Sequence, residues 1–484
     1  MPLELHNPTE LINSLRALPK ETDWVEFKVN KFDAVSTGQY VSGLANAAMF
    51  AREVHAYLVW GIEDGTHAIV GTNVRLAAAK KGDEEFLLYL SKFLRPSINV
   101  YHREIDIEGK HVEMLIIEPG YIQPVSFQKM EYIRVATSLK PLADYVQRQR
   151  ALWAITSSYS FEEATIAAHM SADDIFEHFA IKKFLELLGF EGRGRSNMLT
   201  NLEDRNLIRD NKQGGFEIFA LLAMCCARNL NDFPLMRNRG VRVITYKGND
   251  KYDSESDDEG RRGYIIGFES LLTHILDRIP SAEEMQHGRR VRVFDIPQDA
   301  IREFLANSLV HQDFTQPGRP LIEIYKDRVR FINPGVPLIE IDRFIDAPPT
   351  ARNQNFVQLM RHSGYCEDRG SGVDRAVREI ELAALPPPLF STVEHSTTVS
   401  AYVRKHFADM TPDDRVRACF QHAQLLHEKN QVLTNSSLRA RFGLKETQMS
   451  QVSNVIRDCV ASGKIKPMVE GQAPKSARYI PSYA

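Results

Sequence analysis

Three polar residues, Glu303, Asn307 and His311, recur at every fourth position of the segment that spans residues 300–314. The apolar residues of this segment also fall at helical spacing, which predicts a helix with one buried face. Side chains four positions apart stack over one another, so a carboxylate, an amide and an imidazole would share one ridge. That set can bind a hydrated divalent cation and activate a water molecule. A solvated helix edge is the alternative, and the sequence that follows is needed to choose between them.

Two glycine turns follow this predicted helix. The first, at residues 332–335, contains Asn333 and Gly335 and comes after two short predicted strands. The second, at residues 367–372, opens a predicted helix over residues 373–384. Glycine lets backbone N–H groups approach phosphate oxygens closely, and a helix N-terminus adds partial positive charge. This order of elements is typical of a nucleotide site.

In these motifs the chain resembles the GHKL ATPases, the group that includes DNA gyrase and the histidine kinases, and most closely their divergent, RecG-like branch. The resemblance implies an ATP-binding domain in which Glu303 orients the attacking water and Asn307 holds Mg²⁺. The predicted nucleotide-binding residues are Asn307, His311, Asn333, Gly335, Arg369, Gly370, Ser371 and Gly372. The family's adenine-reading Asp is absent, and Asn333 occupies the nearest place.

The first 150 residues alternate predicted helices and strands, which indicates an α+β domain. A short amphipathic helix is predicted at residues 8–18, a second helix at 38–49 and an apolar strand at 56–60. In a strand that begins near Trp24, Glu26 and Lys28 would share one face while the residues between them face the core.

This part of the chain resembles the AlbA-like domain of Schlafen proteins, through the motifs around Glu26 and Asp64 and the strand that holds Arg134. The resemblance implies an acidic nuclease centre that uses Mg²⁺ or Mn²⁺. Its metal carboxylates would be Glu21, Glu26 and Asp64 or its neighbour Glu63, while Lys28 and Arg134 would face phosphate. Phosphodiester cleavage needs such acidic ligands and a nearby cation. The alternative is that these acids only solvate strand edges in a domain that binds nucleic acid without cutting it.

The middle of the chain divides into two predicted domains. Residues 151–234 contain helices, one of them at 161–169, followed by a glycine-tipped hairpin, which predicts a winged-helix-like connector. Residues 235–408 form the GHKL-like domain, with strands at 241–246, 321–325, 328–332 and 398–403. We expect the acidic stretch within residues 249–262 to be a solvated loop.

The tail, residues 409–484, is basic. From residue 411 onward it has eleven Lys and Arg against six Asp and Glu, a net charge of +5. Three predicted helices and a hairpin indicate a winged helix-turn-helix. Its third helix would present side chains that suit base edges and phosphates, namely Lys445, Thr447, Gln448, Gln451, Asn454 and Arg457. A winged helix that binds another protein is the alternative.

At 484 residues the chain is long enough for three or more domains. Its five cysteines show no CxxC spacing, so neither a zinc cage nor a disulfide framework is indicated. The opening MPLELHNPTE is polar rather than signal-like, and no apolar run is long enough for a membrane helix. We therefore expect a cytoplasmic, α+β multidomain protein without a membrane partner.

Three functions are compatible with these patterns. The first is an ATP-gated nuclease acting on RNA or DNA, a type of assembly that the resemblance links to defence against phage in bacteria. The second is an ATP-responsive DNA-binding regulator that does not cut, and the third is a scaffold with an inactive pocket. The resemblance also implies a homo-oligomer.

Overall fold

The computed structural model describes the chain except for residues 1–7, 19–21, 122, 136–137, 158–159, 193, 212–213, 287–288, 349, 367–371 and 472–476. It divides into two compact units of mixed α+β structure. The first contains residues 1–175, 199–222 and 232–235, and the second contains residues 176–198, 223–231 and 236–484. The four domain boundaries drawn from the sequence are finer than these units and stay predictions.

The first unit is built from thirteen strands and four helices of its own among the described residues. The helices are α1 (Pro8–Arg16), α2 (Ala34–Ala51), α3 (Phe86–Phe93) and α4 (Val146–Ser157). The strands are β1 (Val25–Lys28), β2 (Ala56–Trp60), β3 (Lys80–Lys81), β4 (Glu84–Glu85), β5 (Leu94–Arg95), β6 (Val100–Ile107), β7 (Lys110–Ile117), β8 (Ser126–Phe127), β9 (Met130–Val135), β10 (Ser138–Pro141), β11 (Thr165–Met170), β12 (Ile208–Asp210) and β13 (Phe216–Phe219).

The main sheet of this unit has the order β1-β2-β7-β6, with β1 parallel to β2 and the other pairs antiparallel. Both of its faces are covered. Leu58 and Leu115 pack with α2 on one face, while Val25 and Phe27 pack with α1 on the other. Because strand side chains alternate between faces, Glu26 and Lys28 lie on the α2 face. A second sheet has the order β10-β9-β8-β5.

Helix α2 begins four residues before the predicted start. Asp33 is its N-cap, and its side chain accepts a hydrogen bond from the Ser36 N–H at 2.8 Å. This cap satisfies one of the free N–H groups of the first turn, which permits the helix to start at Ala34. The apolar strand predicted at residues 56–60 is confirmed as β2.

The prediction of a helix at residues 161–169 is wrong. A single 3-10 turn at Phe161–Glu163 leads into β11, which pairs with β13 in a three-stranded sheet of order β11-β13-β12. Ile166 and Met170 are buried. Their spacing suits one turn of a helix equally well, so the pairing with β13 decides the outcome.

The second unit holds a six-stranded sheet of order β15-β14-β18-β19-β21-β20. Its strands are β14 (Arg242–Tyr246), β15 (Ser254–Glu259), β18 (Leu321–Ile324), β19 (Arg328–Pro334), β20 (Leu389–Val393) and β21 (Ser396–Tyr402), and two hairpins add β16 (Ser281–Gln286), β17 (Arg289–Phe294), β22 (Ile465–Pro467) and β23 (Tyr479–Pro481). Three helices have residues in both units, namely α5 (Ala172–His178), α7 (Arg195–Asp204) and α8 (Ala220–Cys226). The helices wholly within the second unit are α6 (Ile181–Leu187), α9 (Tyr264–Leu276), α10 (Gln298–Val310), α11 (Gln354–His362), α12 (Gly372–Leu382), α13 (Pro412–Glu428), α14 (Asn435–Arg441) and α15 (Met449–Ala461).

The acidic stretch predicted as a loop contains the edge strand β15. Its carboxylates are balanced by cations of neighbouring elements: Asp257 accepts from Arg242 Nε at 2.7 Å, and Glu259 accepts from Arg319 Nη1 at 2.7 Å. An edge strand tolerates such charges because one side is open to solvent. Arg242 holds the pKa of Asp257 below its usual range. The prediction of a solvated loop was wrong because it rested on the acidic charge of the stretch alone, without the arginines that pair with it.

Candidate nucleotide site

Helix α10 carries the predicted ridge. Its apolar residues Phe304 and Leu309 are buried, as the spacing predicts. Glu303 is also buried, at 3% exposure, whereas Asn307 is half-buried. The helix ends at His311, whose backbone N–H donates to the Asn307 carbonyl oxygen at 3.1 Å.

Gly372, the first residue of α12, lies directly against this ridge. A Cβ atom at position 372 would be 2.4 Å from Glu303 Oε2 and 3.9 Å from Asn307 Nδ2. Real Cβ contacts do not come so close, so a side chain at position 372 would require the Glu303 carboxylate or α12 to shift. The structure therefore brings Glu303, Asn307 and Gly372 together.

A cavity of about 460 Å³ opens beside this contact. Its lining includes Glu303, Asn307, His311, Asn333 and Gly372. The volume falls within the range of small-molecule and cofactor sites. Asn333 of the first predicted turn, Gly372 of the second and the predicted ridge thus meet at one concave surface. Arg369, Gly370 and Ser371 lie outside the described residues.

Two polar atoms at this cavity are buried without a hydrogen-bond partner among the described residues. They are the Asn307 side-chain nitrogen and Arg361 Nε. A buried polar group that lacks a partner costs free energy comparable to a lost hydrogen bond. An amide and a guanidinium at a cavity wall are groups that a polar, anionic ligand would satisfy.

The first glycine turn is held in the left-handed region at Gly335, where φ is 104°. A Cβ there would be 2.5 Å from the Cβ of Asp313, so this position also requires glycine. The Gly335 N–H donates to the His395 carbonyl at 2.6 Å, and its own carbonyl accepts from Thr397 Oγ1 at 2.7 Å. Asn333, two residues earlier, is 5% exposed. These two hydrogen bonds of Gly335 hold the turn whose residues Asn333 and Val336 line the cavity.

The cavity shifts the pKa of two of its side chains. His311 is exposed on the cavity side. The protein atoms that surround its imidazole exclude part of the water, which lowers the pKa of His311 to about 4, and the positive charge of Arg352 lowers it further by a smaller amount. Burial, and then the charge of Glu303, raise the pKa of the Cys366 thiol to about 12. Near neutral pH the site therefore holds a neutral imidazole and a protonated thiol.

Sequence reasoning gave no role to Arg352 or Arg361, although both line the cavity. Both follow the first glycine turn, on the segment that leads into and through α11. Basic residues between two glycine turns are the available sequence signal, since a phosphate site needs cations.

Among the described residues, the predicted acids Glu26, Glu63 and Asp64 do not form one metal-binding group. Glu26 is 4% exposed and lies between two cations, Lys28 and Arg134, with Arg134 Nη2 at 2.7 Å from Glu26 Oε2. Lys28 Nζ also donates to the Tyr40 hydroxyl at 3.2 Å. Desolvation opposes the charge of Lys28, but its contact with Glu26 leaves the pKa of Lys28 raised.

The remaining predicted acids have other surroundings. Glu63 and Asp64 are exposed in the turn after β2, where Glu63 Oε2 accepts from Thr66 Oγ1 at 2.6 Å. Glu21 lies outside the described residues. Arg134, predicted to face phosphate, is fully buried and also donates to the Thr22 carbonyl at 3.0 Å.

The predicted nucleic-acid surface lies on α15 and the 3-10 turn before it. Lys445, Thr447, Gln451, Asn454 and Arg457 are exposed. Gln448 is half-buried, and its Oε1 accepts from the Lys445 N–H at 3.0 Å, which fixes the entry to the helix. The opposite side of α15 packs Val452, Val455 and Ile456 against α13 and α14. One face of α15 is therefore polar and accessible.

Comparisons with known proteins agree with both resemblances. Residues 21–143 match the family model described as "Schlafen, AlbA_2", and residues 318–400 match the model described as "Putative ATP-dependent DNA helicase recG C-terminal". The chain thus carries the predicted fusion of these two regions. No curated protein shows significant similarity to it.

Among solved structures, the chain is similar to the crystal structure of the DIP2311 protein from Corynebacterium diphtheriae. The two are 16% identical, the match covers 98% of this chain and 96% of that one, and the TM-score is 0.41. None of the helices in the described residues has the length and apolar character needed to cross a membrane.

Proposed function

We propose that this protein binds ATP with Mg²⁺ in the cavity beside α10 and acts on nucleic acid. The observation that carries the proposal is the approach of Gly372 to Glu303 and Asn307 at the wall of that cavity. The match of residues 318–400 to an ATP-dependent family supports the nucleotide. The GHKL fold of this region and the winged-helix form of the tail belong to the same proposal.

Asn307, Glu303 and the start of α12 have different roles in the proposed site. Asn307 offers an amide oxygen for Mg²⁺, which would neutralise phosphate charge when bound. Glu303 accepts a hydrogen bond from a water and orients it. Gly372, the first residue of α12, lines the cavity, so the positive dipole end of that helix would favour phosphate there.

Asn333 is our candidate for the residue that reads the base. Its side chain donates only weakly within the protein, at 3.5 Å to the His311 carbonyl and 3.4 Å to the Pro334 carbonyl. An amide offers one donor and one acceptor side, which matches the amino and ring nitrogens of adenine. Thr397 also lines the cavity close to this turn.

Isothermal titration of the full chain with ATP and Mg²⁺ tests the proposal. We expect binding that is lost on omission of Mg²⁺ and weakened at least tenfold in Asn307→Ala, the equivalent of about 1.4 kcal/mol. The exposed Asn249 gives a matched control, and Asn249→Ala should bind as the parent does. An unchanged affinity in Asn307→Ala would remove the assigned site, and the absence of binding by the parent chain would favour an inactive scaffold.

Helix α12 links the cavity to the basic tail. Near its far end, Glu381 Oε1 lies 2.8 Å from His422 Nδ1 of α13, and Glu381 Oε2 lies 3.4 Å from Arg441 Nε of α14. Arg441 also donates to the Leu385 carbonyl at 2.7 Å. A nucleotide that moves the start of α12 would therefore move Glu381, which contacts His422 and Arg441 of the tail. By this route, ATP binding would change the affinity of the tail for nucleic acid.

The remaining choice is between a nuclease and a regulator that does not cut. The ion pairs of Glu26 favour the regulator, because two cations already balance the carboxylate that a nuclease would commit to a metal. Labelled RNA and DNA incubated with the full chain, Mn²⁺ and ATP should stay intact. Degradation that is lost in the exposed variant Asp64→Asn would establish the nuclease instead.

A role in phage defence is a further proposal, which a plaque assay with Asn307→Ala would test.

A further inference from the structure

A second polar cluster lies at the opposite edge of the main sheet of the first unit. His102 and Glu104 alternate on the edge strand β6, and His111 and Glu113 alternate on β7 beside it. Ligand atoms of His102, Glu104 and Glu113 all lie within 4.8 Å of one another. The sequence shows the same His-x-Glu spacing twice, at 102–104 and 111–113.

Glu113 is the centre of this cluster. Its side chain is fully buried, and its two oxygens contact different imidazoles: Oε2 contacts His102 Nε2, and Oε1 lies 2.9 Å from His111 Nε2. Two imidazoles therefore hold the two oxygens of one fully buried carboxylate. A buried carboxylate is costly unless a positive charge lies beside it, and a metal ion bound by Glu113 and His102 would supply that charge.

Glu104 is exposed and adds a second negative charge beside Glu113. Glu104 is directly opposite Glu113 in the β6–β7 register, and like charges at directly opposite positions destabilise a sheet. No basic side chain forms an ion pair with Glu104 within the part of the chain that the structure describes. A divalent cation between the two carboxylates would convert the repulsion into ligation.

We propose that His102, Glu104 and Glu113 form a divalent transition-metal site, with His111 orienting Glu113. A mixed set of imidazole and carboxylate favours Zn²⁺ or a similar ion over Mg²⁺, which prefers oxygen ligands alone. Three protein ligands leave one tetrahedral position for water. The hydrogen bond from His111 to a ligating carboxylate is the supporting contact that metal sites usually have.

This site is separate from the acids predicted around Glu26. Glu26 and His102 lie on the same face of the sheet but on opposite edge strands, β1 and β6. Three strand spacings separate them, about 14 Å. The proposal also does not depend on the nucleotide cavity, which lies in the second unit.

Titration of the full chain with Co²⁺, after removal of metals by a chelator and without nucleotide, tests the site. Visible absorption and equilibrium dialysis should report one tightly bound Co²⁺ of low coordination number. We expect affinity to fall at least 100-fold in His102→Ala and Glu104→Gln, and 10- to 100-fold in His111→Ala. Glu104 is exposed, so Glu104→Gln should fold and carries the test if His102→Ala does not.

Two variants serve as controls. His169→Ala removes an exposed histidine of β11, and Asp64→Asn removes an exposed acid of the other predicted metal group. Both should bind Co²⁺ as the parent does. Binding that survives Glu104→Gln, a thiolate-to-cobalt charge-transfer band, or no bound Co²⁺ in the parent would each overturn the proposal.

Discussion

Gly372 determines how closely α12 approaches α10, and with it the shape of the nucleotide cavity. The hydrogen atom of glycine occupies the place where a methyl group would meet Glu303 Oε2. Glu303 is 3% exposed and lines the cavity, so a carboxylate displaced by that methyl group would change the shape of the cavity wall. A change of one methyl group at this position is therefore felt by the residue that we assign to the attacking water.

We predict that Gly372→Ala weakens ATP binding at least tenfold, because the added methyl group displaces Glu303 or moves α12 away from the cavity. Gly267 in α9 is the matched control, since a Cβ there meets only Arg262 Cβ at 3.4 Å. Gly267→Ala should bind ATP normally and should be as stable as the parent or up to about 1 kcal/mol more stable. Isothermal titration of both variants gives the comparison, and equal affinities would count against the contact.

His311 gives the site a defined dependence on pH. Its pKa is about 4 in the folded protein against 6.5 for the free side chain. Between these values the unfolded chain binds the proton more readily, so the stability linked to His311 is present above pH 6.5 and is lost as the pH falls toward 4. The thermal unfolding midpoint of the parent should therefore fall more steeply than that of His311→Gln between pH 6.5 and 4.5. Parallel curves would show that folding does not lower the pKa of His311.

At the scale of the element, α12 carries a half-buried acid, Asp374, directly after Val373, which lines the cavity. Burial, and then the charge of Glu428, raise the pKa of Asp374 to about 7. Its Oδ1 atom is buried without a partner among the described residues. Because the folded protein binds the proton of Asp374 more tightly than the unfolded chain does, the linked stability is greatest below the unfolded pKa of 3.8. This stability is lost as the pH rises toward 7.

Asp374→Asn should therefore stabilise the protein increasingly between pH 4 and 7, and by a constant amount above pH 7. The full shift corresponds to about 4 kcal/mol, and solvent screening of this half-buried group reduces the expected effect to about 1–2 kcal/mol. Thermal unfolding at pH 5, 6, 7 and 8 measures this difference. Asp409→Asn, at an exposed position, should show no such trend. A difference between Asp374→Asn and the parent that is independent of pH would contradict the raised pKa.

The elements that could be predicted from sequence are those with one dominant local signal. The apolar run of β2 and the periodic ridge of α10 are confirmed. The wrong predictions, the helix at 161–169 and the loop that contains β15, depend on partners distant in sequence, β13 and β14. Tertiary pairing overrides local propensity in both cases.

The same reasoning applies to the sites. The contact of Gly372 with Glu303 follows from the order of the motifs, and the geometry agrees with it. The pairing of Glu26 with Arg134 joins β1 to β9, and the cluster around Glu113 depends on the β6–β7 register. Neither is visible from the type of a single residue, because each requires knowledge of which strands are neighbours.

At the scale of the whole molecule, the basic tail offers the proposed surface for nucleic acid. We predict that Lys445→Ala and Arg457→Ala each weaken binding to duplex DNA and lower the slope of log affinity against log salt by about one, since each removes one phosphate contact. Lys429→Ala, an exposed lysine just beyond α13, should change neither quantity. Fluorescence anisotropy over a salt series measures both, and a uniform effect of all three variants would indicate nonspecific attraction.

The proposed homo-oligomer stays a prediction.

The most direct measurement is a crystal structure of the full chain with a non-hydrolysable ATP analogue and Mn²⁺ in place of Mg²⁺. The account predicts an anomalous peak for Mn²⁺ between the Asn307 side chain and the phosphates, with the start of α12 closed over them. A nucleotide bound elsewhere, or a cavity beside Glu303 that stays free of nucleotide at saturating concentration, would contradict it.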